Sequence, residues 1–302
     1  MPSNAPAPQE TIRIGTLANA GTGTANYLRQ ILPHGFESFS LTFWQSTNGL
    51  DLARLADEVK ATLAGTGAVI SSLGVFGNPL GNQPKDQETR DAWKQCITAA
   101  KLFGCDIVGG FAGRLVNQPI DKSMPAFTSF FGELGRYAAD QGVRIAFENC
   151  DMGGTWGWGD WNLAHAPDAW EMLFNAVPLE NLGLEWEPCH QLNSLIDPLP
   201  QLRKWAKKVF HVHGKDATVQ WDVIRTKGIR GNTPWVHHRT PGFGDSNWTE
   251  IISILRQNGF KGSIDIEGWH DPVYRKDLEM TGQVHGLNYL KNCRTTYIPN
   301  PV

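Results

Sequence analysis

The sequence predicts one (β/α)8 barrel. Eight short apolar runs alternate with amphipathic stretches from end to end. The runs are rich in Ile, Val, Phe and Leu, as buried parallel strands are. The chain of 302 residues shows no linker or composition break that would divide it. An open, doubly wound sheet is the structural rival. It would normally carry a GxGxxG loop after its first strand, and Gly15, Gly21 and Gly23 do not form one.

The first two strands are expected at residues 12–18 and 38–44. A helix over 50–64 repeats Leu and Ala at helical spacing and is followed by Gly65, then by a strand over 67–74. A second helix, 87–103, ends at Gly104, and strand 106–112 follows. Helix 122–141 carries Phe127, Phe131, Leu134 and Tyr137 largely on one face and precedes Gly142 and strand 144–150. Helix 167–177 begins with Pro, where the missing N–H is harmless, and leads to strand 181–188. A short helix, 202–208, precedes strand 209–216. The longest irregular stretch is 217–246, with Gly228, Gly231, Pro234, Pro241, Gly242 and Gly244; a loop of that length in a compact domain is usually functional. Asn247 caps a helix over 248–258, with Glu250 three residues on and Gly259 after it. Strand 262–267 and helix 274–292 close the barrel.

Composition narrows the function classes. Apolar residues make up 41% and charged residues 19%, which suits a globular domain with a sizeable core. A net charge of −3 gives no electrostatic reason to expect nucleic acid or an anionic membrane as partner. No run reaches the about 18 apolar residues that a membrane span needs. Residues 1–11 are polar and Pro-rich and lack the apolar centre of a signal peptide; an extended or disordered start is expected, with the barrel domain over 12–302. The five cysteines are scattered and odd in number, which fits a reduced, cytoplasmic protein. Twelve Trp are present, five of them at 156, 158, 161, 170 and 186. Trp groups fill cores; they also line sugar sites, where rings stack on C–H faces.

In such barrels the site lies at the C-terminal ends of the strands. Strand five ends in Glu148, strand six in Glu187, strand seven in His213 and strand eight in Glu267. A lone Glu there is more often a surface group, but four neighbouring strands ending this way are poorly explained by packing. Three carboxylates buried together repel one another, and a divalent cation removes that difficulty. One metal ion is therefore expected on Glu148, Glu187, His213 and Glu267. The mostly oxygen donor set suits Mn²⁺ first, with Mg²⁺, Co²⁺ and Zn²⁺ as alternatives. Its open positions would take two oxygens of a hydroxy-ketone and acidify the C–H between them. By strand parity His211 shares a face with His213, Glu185 with Glu187, and Asp265 with Glu267. Glu185 is thus the alternative ligand, and His211 is expected one layer below.

The four strand ends resemble the xylose isomerase-like barrel superfamily, especially its sugar phosphate isomerase/epimerase branch. Glu148 matches the metal Glu that ends the family's fifth strand. The family's D-P-x-H is matched by Glu187-Pro188-Cys189-His190, and its H-x-K-D by His213-Gly214-Lys215-Asp216. Its S-I-E-H-E-D-P is matched loosely by Asp265-Ile266-Glu267-Gly268-Trp269-His270-Asp271-Pro272, and its R-x-x-G-x-G by the stretch from Arg239 to Gly244. The resemblance covers nearly the whole chain. Two departures stand out: Glu187 replaces the usual Asp, and Gly268-Trp269-His270 replaces H-E-D.

The resemblance implies a metal-dependent sugar isomerase or epimerase. Glu148 and Glu267 would form the acid–base pair that moves a proton through an enediolate stabilised by the metal. His190 would bind a substrate oxygen, with Trp44 and Trp156 on the sugar's apolar side; Arg239 would bind an anionic or hydroxyl group or, equally, stabilise its own loop by a hydrogen bond. Lys215 and Asp216 are expected to pair structurally or fix the rim, and 217–246 to close over the substrate. The partner is a small carbohydrate, unphosphorylated for want of a phosphate loop, and a homo-oligomer is compatible with the resemblance. A lyase acting on a keto-sugar, inosose or 3-oxo-glycoside is the alternative at the same metal. A DNA-repair endonuclease would need more His and Asp ligands and a basic groove. A non-catalytic sugar-binding barrel would need no second carboxylate at the metal.

Overall fold

The computed structural model describes residues 12–296 and Ile298; the stretch 1–11, expected as an extended start, lies outside the described residues. The barrel strands are β1 (Arg13–Asn19), β2 (Ser38–Trp44), β3 (Val69–Phe76), β4 (Ile107–Gly110), β5 (Arg144–Glu148), β6 (Leu182–Trp186), β7 (Val209–Gly214) and β10 (Ser263–Ile266). They close in the order β1-β10-β7-β6-β5-β4-β3-β2, each pair parallel. Each lies within two residues of its expected bounds. A separate antiparallel pair, β8 (Asp216–Val219) and β9 (Val236–Arg239), stands beyond β7.

Ten α-helices are described: α1 (Thr24–Ile31), α2 (Leu52–Leu63), α3 (Pro84–Phe103), α4 (Ile120–Asp140), α5 (Pro167–Ala176), α6 (Pro188–Asn193), α7 (Pro198–Trp205), α8 (Trp221–Lys227), α9 (Trp248–Gln257) and α10 (Glu279–Arg294). Asn247 caps α9 by accepting from the Glu250 N–H at 3.0 Å. Gly65, Gly104, Gly142 and Gly259 all have φ between 67° and 76°, the left-handed turn that ends a helix before the next strand.

Four expectations are corrected. The stretch 217–246 is not irregular: it folds as β8, α8 and β9, short elements whose apolar signal is diluted by Thr218, His237 and His238. Helix α1 was not foreseen, because its eight residues are too few to establish a period. Helix α6 was not foreseen; it begins at Pro188, the last residue of the strand expected over 181–188. Helix α7 starts four residues earlier than expected, where Asp197 caps it and Pro198 takes the first position; residues 206–208 form a 3-10 turn instead.

The apolar core sits between the strands and the helix ring, where Trp93, Phe127, Phe131 and Phe147 meet with ring centroids 4.8–5.7 Å apart. The barrel axis is different. Ser38, Ser40, Ser72, Glu185, His211 and Asp265 are fully buried along it.

Candidate metal centre

The C-terminal ends of β5 and β6 are locked by asparagines. The Glu187 N–H donates to Asn149 Oδ1 at 2.7 Å, and Asn149 Nδ2 donates to the Glu187 carbonyl at 2.9 Å. Asn162 Nδ2 donates to the carbonyls of Glu148 and Cys150, both at 2.8 Å. Beyond β10, the Glu267 N–H donates to the Gly214 carbonyl at 3.2 Å. These bonds hold each strand end in one conformation, so the side chains they carry meet at a fixed place.

Glu148, Glu187, His213 and Glu267 converge there, all buried, with one donor atom of each within 4.8 Å of all the others. His213 Nδ1 faces Glu148 Oε1 at 2.9 Å and Glu267 Oε2 at 3.4 Å. Both Glu187 oxygens and Glu267 Oε2 are buried without a hydrogen-bonding partner, although His190 Nε2 lies 2.9 Å from Glu187 Oε1 without being aligned to donate. Orphaned carboxylate oxygens cost several kcal/mol unless something positive faces them, on the order of the penalties for buried unpaired charge. A divalent cation among these four residues would face these oxygens, so donor set and orphaned atoms fit a metal.

A protein cation already stands at the rim. Lys215 Nζ lies 2.7 Å from Glu267 Oε1, 3.3 Å from His190 Nε2 and 4.0 Å from Glu187 Oε2. Burial disfavours its charged form, but Glu187 and Glu267 outweigh that and raise its pKa well above the usual range. The reverse holds for Glu267: burial would raise it, yet Lys215 and His213 hold it well below the usual carboxylate value. Burial dominates at Glu148 and pushes it up. The expected pairing of Lys215 with Asp216 is thus replaced. Residues alternate along the strand, so Lys215 points inward with His211 and His213, while Asp216 points away and accepts from Trp248 Nε1 at 3.0 Å.

A cavity of 590 Å³ opens above this cluster. One wall is polar, with Glu148, His190, Lys215, His238, Glu267 and His270; the other is apolar, with Phe43, Trp44, Phe76, Phe111, Met152 and Trp269. A cavity of that size with convergent polar groups on one side suits a small organic ligand. Of the substrate contacts expected from the sequence, His190 and Trp44 line this cavity. Arg239 and Trp156 do not. Arg239 Nε donates to Asp271 Oδ2 at 3.0 Å and is held at the rim. The Trp156 carbonyl accepts from the buried Arg114 at 2.8 Å, and that loop leaves Trp156 41% exposed and outside the cavity lining.

Two further imidazoles received no role from the sequence. His270 Nε2 lies 3.0 Å from Glu267 Oε1. It repeats after β10 what His190 does after β6, and the doubled Glu-x-x-His spacing was the available signal. His238 arrives on β9, its ring centroid 5.1 Å from that of His190 and 5.9 Å from that of His270. Burial holds its pKa down at about 4, which keeps it neutral. No periodicity marks β9, so nothing in the sequence placed it.

Comparison with known proteins adds four findings. The family model described as xylose isomerase-like TIM barrel matches residues 28–293. Among curated relatives, the uncharacterized protein YfiH of Bacillus subtilis (strain 168) is 25% identical over 232 residues, 66% of this chain and 70% of YfiH. An inosose dehydratase of Clostridium botulinum (strain Alaska E43 / Type E3) is 25% identical over 168 residues, 53% of this chain and 51% of that protein, so the match spans about half the dehydratase. Among solved structures, the 3-keto-D-glucoside 4-epimerase YcjR from E. coli superposes with a TM-score of 0.68 at 15% identity, over 93% of this chain and 100% of YcjR.

Proposed function

Because the chain belongs to the xylose isomerase-like TIM barrel family, we propose that it is a divalent-metal-dependent isomerase or epimerase of a keto- or aldo-sugar. The observation that carries this reading is the convergence of Glu148, Glu187, His213 and Glu267, with orphaned oxygens, at the base of a two-faced cavity. These four residues would hold the ion, Mn²⁺ before Mg²⁺, Co²⁺ or Zn²⁺. A bound divalent ion supplies Lewis acidity to a carbonyl and its neighbouring hydroxyl, which acidifies the C–H between them.

The chain's own residues account for the rest. Glu148 and Glu267 serve as the acid–base pair, one taking the proton next to the carbonyl and the other, or the same one, returning it. Lys215 and His190 donate to substrate oxygens from the polar wall. Phe76, Phe111 and Trp44 pack on the sugar's C–H face and keep water from it. Among the described residues no arginine lines the cavity, Arg239 being held by Asp271, and this supports an unphosphorylated substrate. Similarity to a 3-keto-D-glucoside epimerase supports the substrate class.

The test is proton exchange. Keto-sugars incubated with MnCl2 in deuterated water should exchange the hydrogen next to the carbonyl, followed by NMR. Glu148→Gln and Glu267→Gln should each slow that exchange at least ~100-fold, the usual size of an acid–base contribution. Wild-type-like exchange in both variants would remove these carboxylates from the reaction.

A second reading is a lyase at the same site. It is favoured by the inosose dehydratase similarity and by Lys215 and His190, two proton donors placed where a departing hydroxyl could be protonated. An enone product, seen as new ultraviolet absorbance, separates it from epimerisation.

A further inference from the structure

A second buried tier lies directly beneath the candidate ligands. We propose that it is a positioning relay in which Glu185, held by His211 and Asp265, fixes the ring of His213 so that Nδ1 is the atom offered to the cation. The proposal rests on the reading of His213 as a ligand beside Glu148, Glu187 and Glu267; Glu185 and His211, whose donor atoms also lie within 4.8 Å of one of His213, are assigned to support that ion rather than to hold one of their own.

The tier follows from strand parity. Glu185, His211 and Asp265 each stand two residues before a candidate ligand on the same strand, so they share its inward face one step deeper in the barrel. All three are fully buried. His211 bridges the two carboxylates, with Nδ1 2.9 Å from Glu185 Oε1 and Nε2 2.6 Å from Asp265 Oδ2. Asp265 is anchored in turn by Ser38, whose Oγ donates to Oδ1 at 2.5 Å, and by Ser71, whose Oγ donates to Oδ2. The relay therefore runs from the serines through Asp265 and His211 to Glu185.

Its upper end meets His213. Nε2 of that ring lies 2.9 Å from Glu185 Oε1, off the ideal N–H line, and no other acceptor faces it. His213 Nδ1 stands the same 2.9 Å from Glu148 Oε1, so without a cation either nitrogen can carry the hydrogen. A cation held among Glu148, Glu187 and Glu267 takes the Nδ1 lone pair, and the hydrogen is then left on Nε2, where Glu185 faces it. A carboxylate behind a ligating imidazole fixes its tautomer and raises its basicity.

The barrel wall is cut to accommodate this tier. A Cβ on Gly109 would stand 2.2 Å from Glu185 Oε2, so no other residue fits there while that carboxylate stays where it is. One on Gly15 would stand 2.0 Å from the Ser38 carbonyl oxygen and 2.2 Å from Asp265 Oδ1, so the neighbouring strand and the carboxylate both exclude it. Packing alone is the poorer account. Branched aliphatic side chains usually fill this layer of a (β/α)8 barrel, and replacing buried charge by matched apolar groups is often neutral or stabilising.

The test is calorimetric titration of the metal-stripped protein with MnCl2. Glu185→Gln keeps the volume of the side chain and removes its charge. It should weaken Mn²⁺ binding 10- to 100-fold, the usual effect of losing such a partner. Asp265→Asn, further along the relay, should weaken it in the same direction by less, and it serves if Glu185→Gln fails to fold. Nitrogen-15 NMR of the Zn²⁺-loaded protein should show His213 protonated at Nε2. Wild-type affinity retained within twofold in both variants, or a proton on Nδ1, overturns the relay. A wild-type protein that binds no divalent ion overturns instead the metal reading on which the relay rests.

Discussion

Lys215 sets the charge balance of the cavity when no metal is present. It is the ammonium that faces Glu267 and Glu187, and Glu148 lies in the same cluster. Lys215→Met keeps the length and removes the charge, leaving buried carboxylates uncompensated. The metal-free protein should lose about 3–5 kcal/mol, as when one partner of a buried pair is removed. Added MnCl2 should restore most of the lost melting temperature, because the ion supplies the missing positive charge. An equal loss with and without MnCl2 would show that the lysine acts by packing. This residue was legible in principle, since two-residue alternation from His211 through His213 continues to Lys215. A place at the rim was one of the two readings it received; the other, pairing with the adjacent Asp, is the one the structure replaces. The four candidate ligands were easier to read, each standing at or beside the end of a strong apolar run. Arg239 and Trp156 were not, because their places depend on Asp271 and Arg114, partners distant in sequence.

Asp216 organises the β8–β9 hairpin that brings His238 to the cavity. Its carboxylate accepts from the Ala217 N–H at 2.8 Å, the Ser246 N–H at 3.1 Å and Trp248 Nε1 at 3.0 Å, which ties β8 to the start of α9. Asp216→Ala leaves those donors buried and unmatched, and about 3 kcal/mol of stability should be lost. Hydrogen exchange should then quicken across 217–246 while β5 and β6 stay protected. Uniform quickening throughout the chain would deny the hairpin a local anchor. The long elements were readable because α3 and α4 hold a helical period over 20 and 21 residues. The hairpin was not: β8 and β9 have four residues each, and β9 is only half-buried. Antiparallel pairing, rather than an apolar pattern, makes them strands.

Pairing of β1 with β10 closes the barrel, and a clasp from the last helix ties down the same junction. From α10, Arg294 Nη1 donates to the Ile12 carbonyl at 2.7 Å and to Glu37 Oε2 at 2.5 Å, and the Ile14 N–H donates to the same Glu37 oxygen at 2.9 Å. Burial would raise the Glu37 pKa, but Arg294 and the Ile14 N–H outweigh it and lower it. A carboxylate with a lowered folded-state pKa stabilises above its unfolded value and loses that contribution as pH falls through the folded one. Arg294→Ala should therefore cost about 1–2 kcal/mol at pH 7, moderated because Glu37 is partly exposed. The gap should close below the ordinary Glu pKa of about 4.3. Urea unfolding of both proteins across pH 7 to 3 measures it, and a gap independent of pH would assign the cost to lost packing. Single-domain closure was legible from the count of alternating elements. The clasp was not, since it joins residues more than 250 positions apart. The carved wall at Gly15 and Gly109 has a practical corollary for anyone redesigning this protein. Libraries confined to side chains that face the ligand would leave out the positions that admit the tier beneath, and a methyl group added there would be felt at the chemistry without ever approaching it.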